Sequence, residues 1–439
     1  MPSIIAVRLP LRLLLILLLG LAAARSASAQ STSTHRLPLF HSLFGPTDNE
    51  QNRPRQLDLN WSLYTAGDDN SFLSTDADIL DAALQSKRVY SGLTISAQYV
   101  RRPPRRVLTF NTAAAGRYYS DLRRVVTTRY GGGMTLDALV ARDWRLQLSN
   151  TASFSPFYQV VLAPSAPGLW TPDAPAPSAD NAVSRQHAMQ YGSFIGVTHG
   201  YSARSSIAFN YGLRYTQVFE GADSGSQRGG VEYVHGIAKD IGLRLGYAYG
   251  VAFTGANPGA RPIRNQDIDI GLNYGRSFSP SRRMSLGFTT GSSIISSDDG
   301  SHFRVTGSAR FTRRLSPRWT AVVLYDRGLQ VPDGATRPFF SDTVSAGING
   351  YFSPRASLRI LPAYSHGTVG FTGQTNAYNS YSSTTRFEVA ISHRLAVYAE
   401  HFYYNYAFDS GVGLPAFLTT GLNRQGVRAG LAVWTPLVQ

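Results

Sequence analysis

The sequence predicts an all-β fold: a transmembrane antiparallel up-and-down β-barrel of about 18 strands (within 16–20), with short turns at one end and long loops at the other. Three observations predict it. The turns Ser279-Pro280-Ser281-Arg282, Ser316-Pro317-Arg318 and Ser353-Pro354-Arg355 set their prolines 37 residues apart, twice in succession. Between these turns lie runs of alternating apolar and polar residues, with longer loops rich in Gly, Asn and Asp midway, so each period reads strand, long loop, strand, short turn. Beyond the N-terminus no segment approaches 18 consecutive apolar residues, so any membrane crossing is made by strands.

The N-terminus is read as an export signal. Arg8 and Arg12 stand before and inside a leucine-rich run from Leu13 to Ala24, and Ala27-Ser28-Ala29 before Gln30 has the small-x-small pattern of a signal-peptidase site. The apolar run falls short of the roughly 20 residues of a spanning helix. Residues 1–29 are therefore expected to be a cleaved signal peptide. Residues 30–55 read as a periplasmic leader whose apolar cluster is Leu37, Leu39, Phe40, Leu43 and Phe44, and 56–439 as one barrel.

The strands are legible by parity. Leu57, Leu59, Trp61 and Leu63 oppose Asp58, Asn60 and Ser62; Leu93, Ile95, Ala97 and Tyr99 oppose Thr94, Ser96 and Gln98. Ile207, Phe209, Tyr211, Leu213 and Tyr215 oppose Ala208, Asn210, Gly212 and Arg214, while Leu243, Leu245, Tyr247, Tyr249, Val251 and Phe253 oppose Arg244, Gly246, Ala248 and Gly250. Ile268, Ile270, Leu272 and Tyr274 oppose Asp267, Asp269, Gly271 and Asn273; Phe387, Val389 and Ile391 oppose Arg386 and Glu388. One face suits lipid and the other a polar interior. Residues 131–140 and the run after Trp319 are apolar on both faces.

Short turns are expected near Arg102-Pro103-Pro104, Asp143-Trp144, Ser202-Ala203-Arg204, Lys239-Asp240, Ser281, Pro317, Pro354 and His393-Arg394. Long loops are expected near 66–88, 120–129, 158–186, 220–228, 255–266, 296–301, 330–340, 371–381 and 409–422. An even strand count returns both termini to the periplasm. The short turns and their flanks are rich in Arg, and the long loops, Asp68 and Asp69 among their residues, are rich in Asp. This partition suits a rim that pairs with phospholipid headgroups and loops that meet cations bound to lipopolysaccharide, or a basic funnel that collects anions.

Composition excludes several classes. There is no Cys, which removes disulfides, thiolate metal sites and cysteine nucleophiles, and nine His are scattered, so no metal or cofactor is expected. Lys87 and Lys239 are the only lysines among 42 basic residues, and the formal charge is +15. The arginines are distributed by turn and strand rather than along one face, which argues against nucleic acid. Neither a Gly-x-Ser-x-Gly elbow nor a His-Glu-x-x-His helix is present, so no enzyme is expected. His235 and His401 read as interfacial aromatic-like residues whose nearness to serines is fortuitous.

In the last strand Val427, Ala429, Leu431 and Val433 alternate with Arg428, Gly430, Ala432 and Trp434 before Thr435-Pro436-Leu437-Val438-Gln439. This resembles the C-terminal signal that Gram-negative outer-membrane β-barrel proteins present to their insertion machinery, although in that family the chain usually ends on the aromatic. At the level of architecture the resemblance covers the whole mature chain. It implies a bacterial outer-membrane location, with outer-membrane lipids, lipopolysaccharide and the barrel insertion machinery as partners.

Specificity in such a barrel resides in the lumen. Parity places Arg145, Arg214, Arg244, Arg304, Arg310, Arg359, Arg386 and Arg428 there, with Asp58, Glu232, Asp267, Asp269 and Glu388 as the main acidic company. Arginine rings favour anions and phosphates in pores, whereas arginines locked to carboxylates make a packed polar core. Inward glycines at 212, 246, 250, 271, 275, 287 and 291 suggest side chains folded over bare backbone. The Pro-rich segment from Ala163 to Ser178 is a candidate constriction, and the loop from Gly255 to Gln266, with Arg261 and Arg264, a candidate ligand site at the mouth. The leading expectation is a passive pore or export channel for a hydrophilic, anionic solute. The alternatives are an exopolysaccharide export barrel, since alginate-type exporters are similar in strand number and Arg lining, or a closed structural or surface-interaction barrel.

Overall fold

The computed structural model describes residues 54–72, 88–119, 124–155, 158–159, 182–184, 187–219, 223–238, 241–254, 262–274, 284–297, 300–330, 338–370, 376–409 and 420–438. The expected signal peptide and all of the leader but Pro54 and Arg55 lie outside these residues. The strands, in chain order, are β1 (Arg55–Phe72), β2 (Arg88–Arg101), β3 (Arg106–Tyr119), β4 (Arg124–Ala141), β5 (Trp144–Ser155), β6 (Tyr158–Gln159), β7 (Ala182–Ser184), β8 (Ala188–Ser202), β9 (Ser205–Val218) and β10 (Ser224–Ala238). They continue with β11 (Ile241–Thr254), β12 (Ile263–Tyr274), β13 (Met284–Ser297), β14 (Gly300–Ser316), β15 (Trp319–Gln330), β16 (Phe339–Ser353), β17 (Ala356–Val369), β18 (Ala377–Ala390), β19 (Leu395–Phe408) and β20 (Gly421–Val438).

Eighteen of these form one antiparallel sheet, in which each strand pairs with its neighbours in sequence and β20 closes onto β1. Only β6 and β7 stand apart, as a two-stranded pair at the base of the segment between β5 and β8. Closure leaves no free edge strand in the wall; a stretch of β14 and β15 that parts within it is described below. Six of the eight expected turns fall where the sequence places them, while those near Lys239-Asp240 and Ser281 lie outside the described residues. The strands run further toward the long-loop end than expected: β1, β4, β10, β12, β13 and β14 take up parts of the loops expected at 66–88, 120–129, 220–228, 255–266 and 296–301. The two stretches without clear alternation are also wall, as β4 and β15.

A local device explains the turn repeat. In Ser202-Ala203-Arg204, Ser316-Pro317-Arg318, Ser353-Pro354-Arg355 and Ser392-His393-Arg394 the serine hydroxyl accepts the backbone N–H of the arginine, at 3.2, 3.2, 3.2 and 3.3 Å. The serine thus closes the turn and the arginine is turned outward. Just ahead of each serine stands an apolar residue, Tyr201, Leu315, Phe352 or Ile391, exposed on the outside. The pairing slips by one residue beside Tyr201, Leu315 and Phe352, a bulge that turns the side chain toward lipid.

Outward parity holds throughout: Trp61, Leu63, Leu93, Ile95, Phe209, Leu245, Ile268, Ile270 and Leu431 are all exposed. Aromatic rings collect at the two ends of this apolar band. At the short-turn end Trp144 stacks on His199 at 4.3 Å, and Tyr201, Tyr233 and His235 continue the row; Trp319, Phe352 and Phe387 form a second row. Toward the long loops stand Tyr130 with Phe154, Tyr215 with Phe253 and Tyr364 with Tyr381. An apolar belt between two aromatic girdles is the exterior of a membrane-spanning barrel. The chain is a closed 18-stranded antiparallel barrel of the Gram-negative outer-membrane type.

Candidate functional site: the lumen

The inner wall has two unlike halves. From β16 through β20 to β3 the inward positions are filled. Along β19 Ala396, Tyr398, Glu400, Phe402, Tyr404, Tyr406 and Phe408 all point inward and all are buried, because period-two alternation puts every even residue of that strand on the inside. Arg428 packs against this layer, its Nε 3.1 Å from Glu400 and its guanidinium over the rings of Phe402 and Tyr64 at 4.8 and 5.5 Å. Arg386 lies 3.0 Å from Glu388 and 3.6 Å from Glu400, with its guanidinium 3.8 Å from the Tyr398 ring. Nearer the long loops Arg424 donates through Nε to both oxygens of Asp68 at 3.0 Å, both residues being buried. These are charges paired because they are dry.

On β5, β9, β10 and β14 inward arginines remain open, although Ala188, Thr216 and Ser224 nearer the long loops are buried. Arg214 and Arg310 are exposed on the inner face and have no ion-pair partner among the described residues. Arg228 pairs with Asp267 yet keeps half its side chain exposed, and Asn265 donates to the same carboxylate at 2.8 Å. Arg145 donates to Asp137 at 2.8 Å with 46% of its side chain exposed, and Arg244 stands 3.5 Å from Glu232. Asp269 occupies the space that bare backbone leaves at Gly246 and Gly291, where an added Cβ would contact its side chain. Likewise Asn265 overlies Gly250 and Thr289 overlies Gly271, so these four inward glycines serve as the sequence suggested, while Gly275 lies outside the described residues.

Of the residues placed inside by parity, Arg145, Arg214 and Arg310 are open to the lumen; Arg244, Asp267 and Asp269 stand on the adjoining β11 and β12, Asp267 buried; and Arg386, Arg428 and Glu388 belong to the packed half. Arg304 reaches to 5.9 Å from the Phe340 ring, and Arg359 pairs in register with Arg386. Asp58 is buried beside Gln56, whose Nε2 donates to it at 2.5 Å.

Two expectations about residues of the site need correction. Asp68 is not in a loop: β1 runs on to Phe72 and turns Asp68 inward onto Arg424. The mouth loop after β11 stops short of Arg264 and Gln266, which belong to β12 and sit on its outer parity. The Pro-rich segment 163–178 and Arg261 lie outside the described residues. Sequence reading missed Asp137, Glu400, Arg228 and Arg424. Parity carried four residues back from Arg428 finds Arg424, and parity along β19 finds Glu400.

The outer face also holds a serine–histidine contact that the sequence reading dismissed: Ser205 Oγ lies 2.8 Å from His235 Nδ1. Ser205 is buried, no carboxylate bonds His235 among the described residues, and the pair sits in the short-turn girdle beside Tyr233. It lacks the accessible nucleophile and the orienting acid of a hydrolytic site.

No family model matches this chain, and no curated protein matches it. Among solved structures, Pseudomonas aeruginosa OpdQ is 8% identical with a TM-score of 0.45, covering 88% of this chain and 100% of that one. Pseudomonas aeruginosa OpdL is 10% identical with a TM-score of 0.44 (88% and 99%), and Acinetobacter baumannii OccAB3 is 11% identical with a TM-score of 0.42 (87% and 99%). The barrel is read from this chain's own strand pairing, and no residue role is taken from these structures.

Proposed function

We propose that this protein is an outer-membrane pore, exported through a cleaved signal peptide, that passes hydrophilic solutes with a preference for anions and is not an enzyme. The observation that carries the reading is the inner wall of β5, β9, β10 and β14, where Arg214 and Arg310 face the lumen without a carboxylate partner among the described residues and Arg145 and Arg228 remain about half exposed. Unpaired guanidinium groups on a pore wall lower the entry barrier for carboxylates and phosphates. Asp267, Asp269, Asp137 and Glu232 on the same half moderate that preference. Lipids, lipopolysaccharide and the insertion machinery are the partners the architecture calls for.

The packed wall from β16 to β3 favours a second reading, a closed surface-interaction barrel whose long loops do the work. Osmotic swelling of vesicles that hold the refolded protein separates the two. A pore admits small sugar acids faster than neutral sugars of equal size; a closed barrel admits neither.

A further inference from the structure

At the long-loop end of the β14–β15 seam the ladder opens although both strands continue. β14 pairs with β13 as far as Gly300 opposite Ser297, but its pairing with β15 stops at Gly307 opposite Arg327. Beyond that point Gly300–Thr306 and Gly328–Gln330 are both extended, and neither has a ladder partner across this seam among the described residues. β15, β16 and β17 stay in register with one another up to Phe339, opposite Gln330 and Val369. The end of the β15–β16 hairpin therefore leaves β14 as one piece.

Two side chains give its direction. Phe340 shares its face of β16 with the outward Val344, yet it is buried against Ala252, Ile263 and Ile295, which belong to the inner faces of β11, β12 and β13. Phe339, on the opposite face, packs 5.2 Å from Tyr378 and 6.0 Å from Phe408, inward residues of β18 and β19. Phe339 and Phe340, touching both inner walls between them, stand inside the lumen.

The abandoned edge is satisfied by substitutes. Arg327 Nε donates to the Val305 carbonyl at 3.1 Å, where a ladder strand would otherwise donate. Buried polar atoms of Ser293, Thr306 and Gln330 have no hydrogen-bond partner among the described residues. At this height the outer face carries Arg327 paired with Asp342 at 3.2 Å, and Tyr325 donates to Asp342 at 2.5 Å. Such charge belongs outside hydrocarbon, so the hairpin end is free to move without baring backbone to lipid.

We propose that Gly328–Gln330 of β15, with Phe339 and Phe340 of β16, form a hinged lid with two seats. In the closed seat, the one described, Phe340 rests on Ala252, Ile263 and Ile295. In the open seat Gly328–Gln330 continue the ladder onto Thr306–Arg304, and both phenylalanines withdraw from the lumen. The lid's effect on conduction rests on the pore reading above; its motion does not.

The absence of native cysteine makes the test direct. Val305→Cys with Leu329→Cys joins the open seat, two steps beyond the last pair in the same register. Ile295→Cys with Phe340→Cys joins the closed seat, and Ala309→Cys with Tyr325→Cys, an existing pair, is the control. Oxidation of the folded protein, read by gel mobility, is expected to trap both seats. The open lock should give a steady conductance several-fold above the closed lock, with the unlocked protein switching between the two levels and reductant restoring the switching. Failure of the Val305–Leu329 lock under conditions that join the control pair overturns the lid. Equal conductance in both locks of a conducting barrel overturns its gating role. Both locks forming in a barrel that never conducts sinks the pore reading and leaves the hinged hairpin standing.

Discussion

Glu400 ties the packed half of the inner wall together, and replacing it with glutamine is the sharpest probe of whether that wall is dry. Its carboxylate lies 3.1 Å from Arg428 and 3.6 Å from Arg386, and the side chains of Glu400, Arg428 and Arg386 are 9%, 10% and 26% exposed. Glu400→Gln keeps the shape and removes the charge that faces two guanidinium groups. Removing one partner of a buried pair costs roughly 3–5 kcal/mol. Arg386 keeps Glu388 at 3.0 Å, and Arg428 keeps its place over Phe402 and Tyr64, so the lower end applies. A loss of about 3 kcal/mol is a roughly 150-fold fall in the folded-to-unfolded ratio. Reversible urea unfolding in lipid vesicles, followed by tryptophan fluorescence, reads this as a lowered midpoint at unchanged slope. Adding Arg428→Met should recover about 1 kcal/mol or more relative to the sum of the single changes, because one of the two cations that faced the lost carboxylate is gone. A loss under about 0.5 kcal/mol, the level of an ordinary surface change, would mean that water reaches Glu400, and the division of the lumen into packed and open halves would fail.

Other outcomes follow from the same geometry. Arg214→Ala and Arg310→Ala should each leave the unfolding midpoint within about 0.5 kcal/mol of the parent, since both side chains are exposed. Ile268→Arg, on the lipid face of β12, should cost about 2–4 kcal/mol if it lies near the bilayer midplane, while Tyr233→Arg in the short-turn girdle should cost about 0–1 kcal/mol, by the same unfolding assay. Gly430 opposes Tyr64 at the β20–β1 closure, and an added Cβ there meets backbone and side-chain atoms of β1, so Gly430→Val should sharply reduce the heat-modifiable folded band on a gel.

The membrane architecture was legible because lipid imposes a rule the sequence obeys residue by residue. Leu243, Leu245, Tyr247 and Tyr249 alternate with Arg244, Gly246 and Ala248, and they do so in the structure. The Ser-x-Arg turns were visible as a repeat, though not the hydroxyl-to-backbone bond that makes serine the repeated residue. Inside the barrel parity gives the face but not the company. Arg214 and Arg428 look alike in the sequence; one is open to the lumen and the other lies against Phe402 of β19 and Tyr64 of β1, the latter a contact that depends on which strand is the neighbour across closure. Asp68 was assigned to a loop because Gly67, Asp68, Asp69 and Asn70 form a turn-rich string, and its pairing with Arg424 on β20 overrides that propensity. The inward lean of β15–β16 has no signature in alternation, because Phe340 keeps its parity while the wall beneath it changes.

The central claim is an open, arginine-biased path through one half of the lumen. Single-channel conductance of the refolded protein in planar bilayers, with reversal potentials under a salt gradient, tests it most directly. Discrete openings with a reversal potential on the anion-selective side, moved toward cation selectivity by Arg214→Ala and Arg310→Ala together, are the predicted result. A correctly folded barrel that shows no conductance, or one whose selectivity ignores both arginines, would contradict it.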